Sequence, residues 1–231
     1  MTEHKHDHTI GLSTADLSIR LYLLSALFAV GTGVAFSFDL RVTALVNVEN
    51  APGDLQKALQ LSEAFAHGFG VFAILLAIYV LDETKRDRFV QLLFCVISSG
   101  VFAQIAKQLI ARNRPLTYGE TGLPDSIWQT FGGWFPAFAQ DSTGLRATIL
   151  QSFPSGHTAQ AVGLAIGLAW LYPKGWWLFA ILAGLAAFQR IECQAHFLSD
   201  TLAGAAVACV VSALILDRRA FGRFLPASGE T

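Results

Sequence analysis

Six apolar segments, Leu21–Phe38, Ala64–Leu81, Phe89–Ala106, His157–Tyr172, Trp176–Phe188 and Phe197–Leu216, constrain this chain more than any other feature of its sequence. A hydrocarbon core about 30 Å thick needs roughly 20 residues of helix to cross it, and several of the segments reach that length. They are apolar around most of the helical circumference, as helices are when they face lipid or one another. The fifth is short, and flanking residues extend it. A soluble chain of 231 residues has little material with which to shield six such helices from water, and only 14% of its residues are charged, against about 25% in soluble domains. The expected fold is all-α: a bundle of six transmembrane helices over 21–216, between a polar tail (1–20) and a C-terminal tail (217–231).

A formal net charge of −1 excludes a polybasic nucleic-acid surface. Cys95, Cys193 and Cys209 show no paired spacing, so neither a disulfide framework nor a zinc site is expected. His4, His6 and His8 belong to a stretch without the apolar core and cleavage pattern of a removable signal peptide; it reads as a solvated tail. Gly163 and Gly167 are spaced as a small-xxx-small pair, which serves packing inside a bundle as well as dimerisation. The oligomeric state stays open.

Lysine and arginine set orientation in a membrane. With six spans both termini share a side, which then carries nine of the sixteen basic residues, including the clusters Lys85–Arg88 and Arg218–Arg223. Both termini are therefore expected in the cytoplasm. Two connections are long. Asp39 to Glu63 is expected to hold a short helix after Pro52, with Leu55, Ala58 and Leu59 on one face. Arg112 to Pro154 carries Trp128, Phe131, Trp134, Phe135 and Phe138. Aromatic rings with polar handles favour the membrane boundary, so an interfacial helical segment is expected here.

Three clusters fall at span ends that a six-span chain places on one face. The first runs from Lys107 to Arg114-Pro115, the second is Pro154-Ser155-Gly156-His157, and the third is Arg190, His196 and Asp200. Cations near a bilayer are costly unless paired or reaching for water. Reaching for water accounts for Arg112; it accounts poorly for Lys107, Arg114 and Arg190 beside two histidines. An arginine fork and a lysine point charge both suit phosphate oxygens. Pro154 in a first helical turn would leave the N–H groups of Ser155, Gly156 and His157 free for an anion, although a plain cap by Ser155 is the simpler reading. His196 and Asp200, four apart, are neighbours if helical. The carboxylate would fix the imidazole tautomer and leave the other nitrogen to attack. His67, with Glu63 as companion, reads as a packed or hydrogen-bonded histidine. No nucleotide-binding loop or His-Glu-x-x-His motif occurs.

Lys107-x6-Arg114-Pro115, Pro154-Ser155-Gly156-His157 and Arg190-x5-His196-x3-Asp200 together resemble the three-part signature of the type 2 phosphatidic acid phosphatase superfamily. One departure is Gln189, where the family often has serine. The resemblance implies a six-helix membrane phosphatase with His196 as nucleophile, Asp200 orienting it and His157 as general acid. Lys107, Arg114, Ser155, Gly156 and Arg190 would hold the phosphoryl oxygens. It implies no metal and no cofactor. The substrate would be a lipid phosphate or pyrophosphate in the bilayer, and the location a bacterial inner membrane with the site facing the periplasm. A lipid phosphotransferase or a non-catalytic lipid-binding or transport protein could share the scaffold. The haloperoxidase branch, being soluble, fits the apolar segments poorly.

Overall fold

Every one of the six apolar segments is helical in the computed structural model, which describes residues 14–46, 53–135 and 150–217. They form α1 (Thr14–Phe36), α4 (Gly68–Leu81), α5 (Arg86–Ala106), α6 (Gly156–Leu171), α7 (Trp176–Glu192) and α8 (Leu198–Leu216). The shorter helices α2 (Asp39–Leu45) and α3 (Gly53–Ser62) connect α1 to α4. Three stretches are long and apolar enough to cross a membrane: α1, Glu83–Ala106 and α8. A fourth results if Gln56–Phe65 and α4, bent by 63° at their break, count as one. At 16 and 17 residues, α6 and α7 are shorter. The chain is an integral membrane protein, and length and composition support three or four spans where six were expected.

Hydrogen bonds across helices show how the bundle runs. Ser18 and Ser25 of α1 donate to the carbonyls of Ala213 and Ala206 in α8, so these two helices are antiparallel. At the end opposite the motif residues, Tyr172 donates to Asp82 (2.9 Å) and ties the end of α6 to the α4–α5 turn. Helix α6 lies against α5, α7 and α8. Its glycines explain how: a Cβ on Gly163 would stand 2.6 Å from Ser99 Oγ, and one on Gly167 2.5 Å from Leu92 Cδ1. The small-xxx-small pair thus seats α6 on α5 within one chain. Large apolar side chains such as Leu23, Leu27, Phe69, Phe72 and Trp176 face outward, as lipid-facing positions do.

The long connection departs from the all-α expectation. Strand β1 (Ile110–Arg112) pairs antiparallel with β2 (Phe131–Trp134), flanked by 3-10 turns at Pro115–Thr121 and Ile127–Thr130. Pro115 and the glycines explain why no longer helix forms: Gly122 and Gly133 take φ of 78° and 105°, open chiefly to glycine. Arg112 is held from both sides, since its N–H also donates to the Leu150 carbonyl and its own carbonyl accepts from Ser152. Backbone groups at a membrane boundary need such partners. Trp128 and Trp134 are largely exposed. In α3, Leu59 is buried but Ala58 is exposed, so the expected apolar face is narrower. Phe138, the side chain of Leu55 and most of both tails lie outside the described residues.

Candidate active site

The site is built where α1, α5 and α7 end and α4, α6 and α8 begin. Helix α5 stops at Ala106, and Lys107 is its C-cap. Arg114 follows β1 in extended geometry, as the residue before a proline prefers. Ser155 is the N-cap of α6: its hydroxyl oxygen accepts from the Thr158 N–H (3.3 Å) and the Thr158 hydroxyl (3.0 Å). Pro154 therefore lies before the helix, after a cis peptide bond, and not in its first turn. The Ser155 N–H is spent on the Asp200 carbonyl (2.9 Å). Of the three N–H groups expected to face an anion, those of Gly156 and His157 remain, in the first turn where a helix supplies no acceptor. Lys107 Nζ lies against this turn, 3.7 Å from where a Cβ on Gly156 would stand.

His196 precedes α8 instead of lying within it, so the i, i+4 helical argument does not apply. Asp200, three residues past the N-cap Phe197, folds back to accept the Phe197 N–H (2.8 Å). That return brings Asp200 Oδ2 to 3.6 Å from His196 Nδ1, looser than a direct hydrogen bond. Ser152 Oγ stands 3.4 Å from the same nitrogen and donates to Asp200 (2.6 Å). Nδ1 is thus committed to this polar side, leaving Nε2 for a reactant. The His157 ring, in the first turn of α6, is 6.4 Å from that of His67. His67 is exposed at the head of α4; it is not packed as expected, and its sequence neighbour Glu63 pairs instead with Arg190 (2.8 Å). Gln189 accepts from Arg190 Nε, so the departure from serine braces the guanidinium.

The cations are unequally satisfied. Arg190 has Glu63 and Gln189. Lys107 is buried and Arg114 partly so; among the described residues neither forms an ion pair, and the buried Arg114 Nε has no hydrogen-bond partner. Burial pushes the Lys107 ammonium down to about 8, with Arg114 adding to the fall and Asp200 opposing it. Burial likewise lowers Arg114, and Arg190 adds to the effect. For His196 burial again dominates and favours the neutral ring, against the pull of Asp200. A neutral imidazole beside two cations that lack ion-pair partners among the described residues can attack an electrophile carrying negative oxygens.

Arg112 is where the structure most revises the sequence reading. It does not reach for water but is fully buried. It bridges Asp39 Oδ2 (2.7 Å) and Asp200 Oδ1 and donates to Ser199 Oγ (2.7 Å). Asp39 is equally buried and accepts the Ser199 N–H (2.9 Å). Asp39 and Ser152 carried no sequence signal; Arg112 had a weak one, two residues before Arg114 in an extended stretch, where side chains two apart share a face.

Comparison with known proteins follows the same residues. The family model of the PAP2 superfamily matches residues 88–221. A protein of Rhizobium johnstonii named lipid A 1-phosphatase is 30% identical over 115 residues, covering 50% of this chain and 41% of that protein; the match thus spans less than half of the relative. The crystal structure of Aquifex aeolicus LpxE superposes with a TM-score of 0.56 at 20% identity, covering 78% of this chain and 94% of that one. The Bacillus subtilis PAP2-type phosphatidylglycerolphosphate phosphatase gives 0.53 at 15% identity, over 86% and 93%. At such identities these two neighbours speak for the fold. The match to the family model, which takes in all three motifs and more than half the chain, shows that the chain belongs to the PAP2 superfamily.

Proposed function

We propose that this protein is a lipid phosphate phosphatase that works through a phosphohistidine on His196. The observation that carries the reading is a half-satisfied cationic cradle: Lys107 and Arg114 lack carboxylate partners among the described residues, Lys107 lies against the first turn of α6, and the charges of both act on His196. A phosphoryl group supplies the missing acceptors.

In the first step the Nε2 lone pair of His196 bonds to phosphorus. The bond from phosphorus to the lipid oxygen breaks, and the leaving oxygen takes a proton from His157. Positive charge then spreads over the His196 ring, against Asp200. In the second step a water oxygen attacks phosphorus and gives a proton to His157. The P–N bond breaks with its electrons returning to Nε2, and inorganic phosphate leaves. Lys107, Arg114 and Arg190, with the Gly156 and His157 N–H groups, hold the equatorial oxygens as charge shifts. Ser155 retains its hydroxyl hydrogen for the same purpose. General-acid help of this kind is worth about 10²–10⁴-fold.

An apolar groove of about 570 Å³ between α1, α6, α7 and α8, lined by Phe28, Val162, Ala183, Leu198 and Leu202 among others, is shaped for a hydrocarbon chain. We read six spans, with the short α6 shielded inside the bundle, the short α7 turning Trp177, Ile181 and Phe188 outward, and the site at the periplasmic face. The test presents purified protein with lipid A 1-phosphate, phosphatidylglycerolphosphate and isoprenyl pyrophosphate, and identifies the products. Phosphate release that persists under excess chelator, stops with vanadate and vanishes in His196→Ala is the expected result. Full turnover in His196→Ala overturns the nucleophile, and transfer of phosphate to a second lipid makes the protein a phosphotransferase.

A further inference from the structure

The acid that faces His196 does not stand alone. Asp200 gives Oδ1 to Arg112, whose second terminal nitrogen is held by Asp39 Oδ2, and none of the three side chains has measurable exposure. The rings of Phe36, Phe131 and Phe197 lie 5.1, 5.0 and 4.3 Å from the guanidinium and exclude water. Two carboxylates thus share one guanidinium in a dry space, and the cluster carries one negative charge that nothing inside it cancels. A buried uncompensated charge is costly. The group placed to relieve it is His196, once its ring becomes positive.

We propose that Asp39 is a positioning residue for catalysis: by occupying half of Arg112 it preserves the negative charge of Asp200 for the cationic imidazole of His196. This rests on the phosphohistidine reading above. Without Asp39, Arg112 and Asp200 form a neutral pair, and the ring loses the field that favours its charged state. The geometry fits a shared hub rather than a plain fold-stabilising pair. Ser199 ties Asp39 to the guanidinium nitrogen that holds Asp200, its N–H and hydroxyl donating to Asp39 while its oxygen accepts from Arg112 Nη1. Ser199 also precedes Asp200 in the first turn of α8, so the hub fixes the backbone that aims the acid. The other charged or titratable groups around His196 are Lys107 beyond α5, Arg114 beyond β1, His157 at the head of α6 and Arg190 at the end of α7. The substitution below leaves all of them in place.

The experiment titrates the His196 ring by NMR in full-length, histidine-labelled protein in detergent, with its resonance assigned by loss in His196→Gln. Asp39→Asn is expected to lower the midpoint by about one pH unit, equivalent to about tenfold in proton affinity. It should also lower kcat about tenfold at unchanged KM, as expected when the loss falls on the transition state after binding. Asp39→Glu, which retains the charge, is expected to keep the wild-type midpoint even if the rate falls. An unshifted midpoint in folded Asp39→Asn overturns the proposal. If Asp39→Asn does not fold, Asp39→Asn combined with Arg112→Met removes one charge of each sign. A midpoint near wild type in that protein supports the proposal, and one lowered by a unit or more, or failure of this variant also to fold, overturns it. Because the titration needs no turnover, it stands apart from the substrate panel: a panel without any phosphate release defeats the proposed function while the His196 midpoint still reports on Asp39.

Discussion

Lys107 Nζ lies 3.7 Å from the position a Cβ on Gly156 would take, so a lysine at the end of one helix meets the first turn of another. The contact joins two motifs through residues 49 positions apart in the sequence and defines where a phosphoryl group would sit. Distances of 3.7 and 3.8 Å are ordinary contacts, and φ at Gly156 is not positive. Gly156→Ala should therefore fold normally, with a thermal midpoint equal to wild type or slightly higher, since alanine is the better helix former. Its methyl group would stand between the ammonium and the helix N–H groups. KM for a lipid phosphate should rise about tenfold, a loss of about 1.4 kcal/mol in binding. An unchanged KM would place the phosphate elsewhere.

Lys107 also sets a limit on pH. Its ammonium, held down to about 8 chiefly by burial, is charged below that value and neutral above it. The cradle should therefore lose a cation as pH rises through about 8, and kcat/KM, which reports the free enzyme, should fall on that alkaline side. Lys107→Arg keeps the charge to far higher pH, because guanidinium does not deprotonate in this range. The variant should bind less well, since arginine is a fork where lysine is a point. Its alkaline limb should nonetheless move well above that of wild type. A limb that stays at the same pH in Lys107→Arg assigns it to another group.

What the sequence showed and what it hid divide along physical lines. Hydropathy located all six apolar helices, because a bilayer demands long apolar runs whatever their partners. The motif residues were legible because charges and histidines at span ends demand an explanation. The ribbon of β1 and β2 was not, since three and four residues of pairing leave too short a pattern. Arg112 was misread because a cation at a span end usually reaches for water; only the fold shows Asp39 arriving from α2 to meet it. Glu63 and His67 looked like companions in sequence, yet the bend between α3 and α4 sends the carboxylate to Arg190 and the ring toward His157.

Arg112 yields a stability prediction of known sign. Arg112→Met leaves Asp39 and Asp200 facing each other in a dry site without their shared counter-charge. Breaking a buried pair in this way costs about 3–5 kcal/mol. Thermal unfolding in detergent should move down by many degrees, with activity lost in step. Asp39→Asn together with Arg112→Met should recover a large part of the stability, because one charge of each sign is then gone. A single Arg112→Met variant with wild-type stability would mean that the carboxylates do not depend on the guanidinium.

Gly204 connects helix packing to the chemistry. It lies in α8 one turn beyond Asp200, and a Cβ there would run into the Ser155 carbonyl oxygen and approach the Ala159 nitrogen to 3.3 Å. Both obstacles are backbone, so neither can swing aside as a flexible side chain would. Gly204→Ala must therefore push α8 away from the start of α6, at a cost of about 1–3 kcal/mol for overpacking a tight interface. The displaced segment includes Ser155, whose N–H donates to the Asp200 carbonyl at 2.9 Å. Activity should consequently fall by more than the loss of folded protein accounts for, since the shift separates the acid beside His196 from the helix that carries His157. Gly33→Ala is the matched control: it lies in α1, away from the apolar groove, with open space where its Cβ would stand, and it should leave both stability and turnover near wild type. Equal behaviour of the two variants would show that the approach of α8 to Ser155 does not set the geometry of the site.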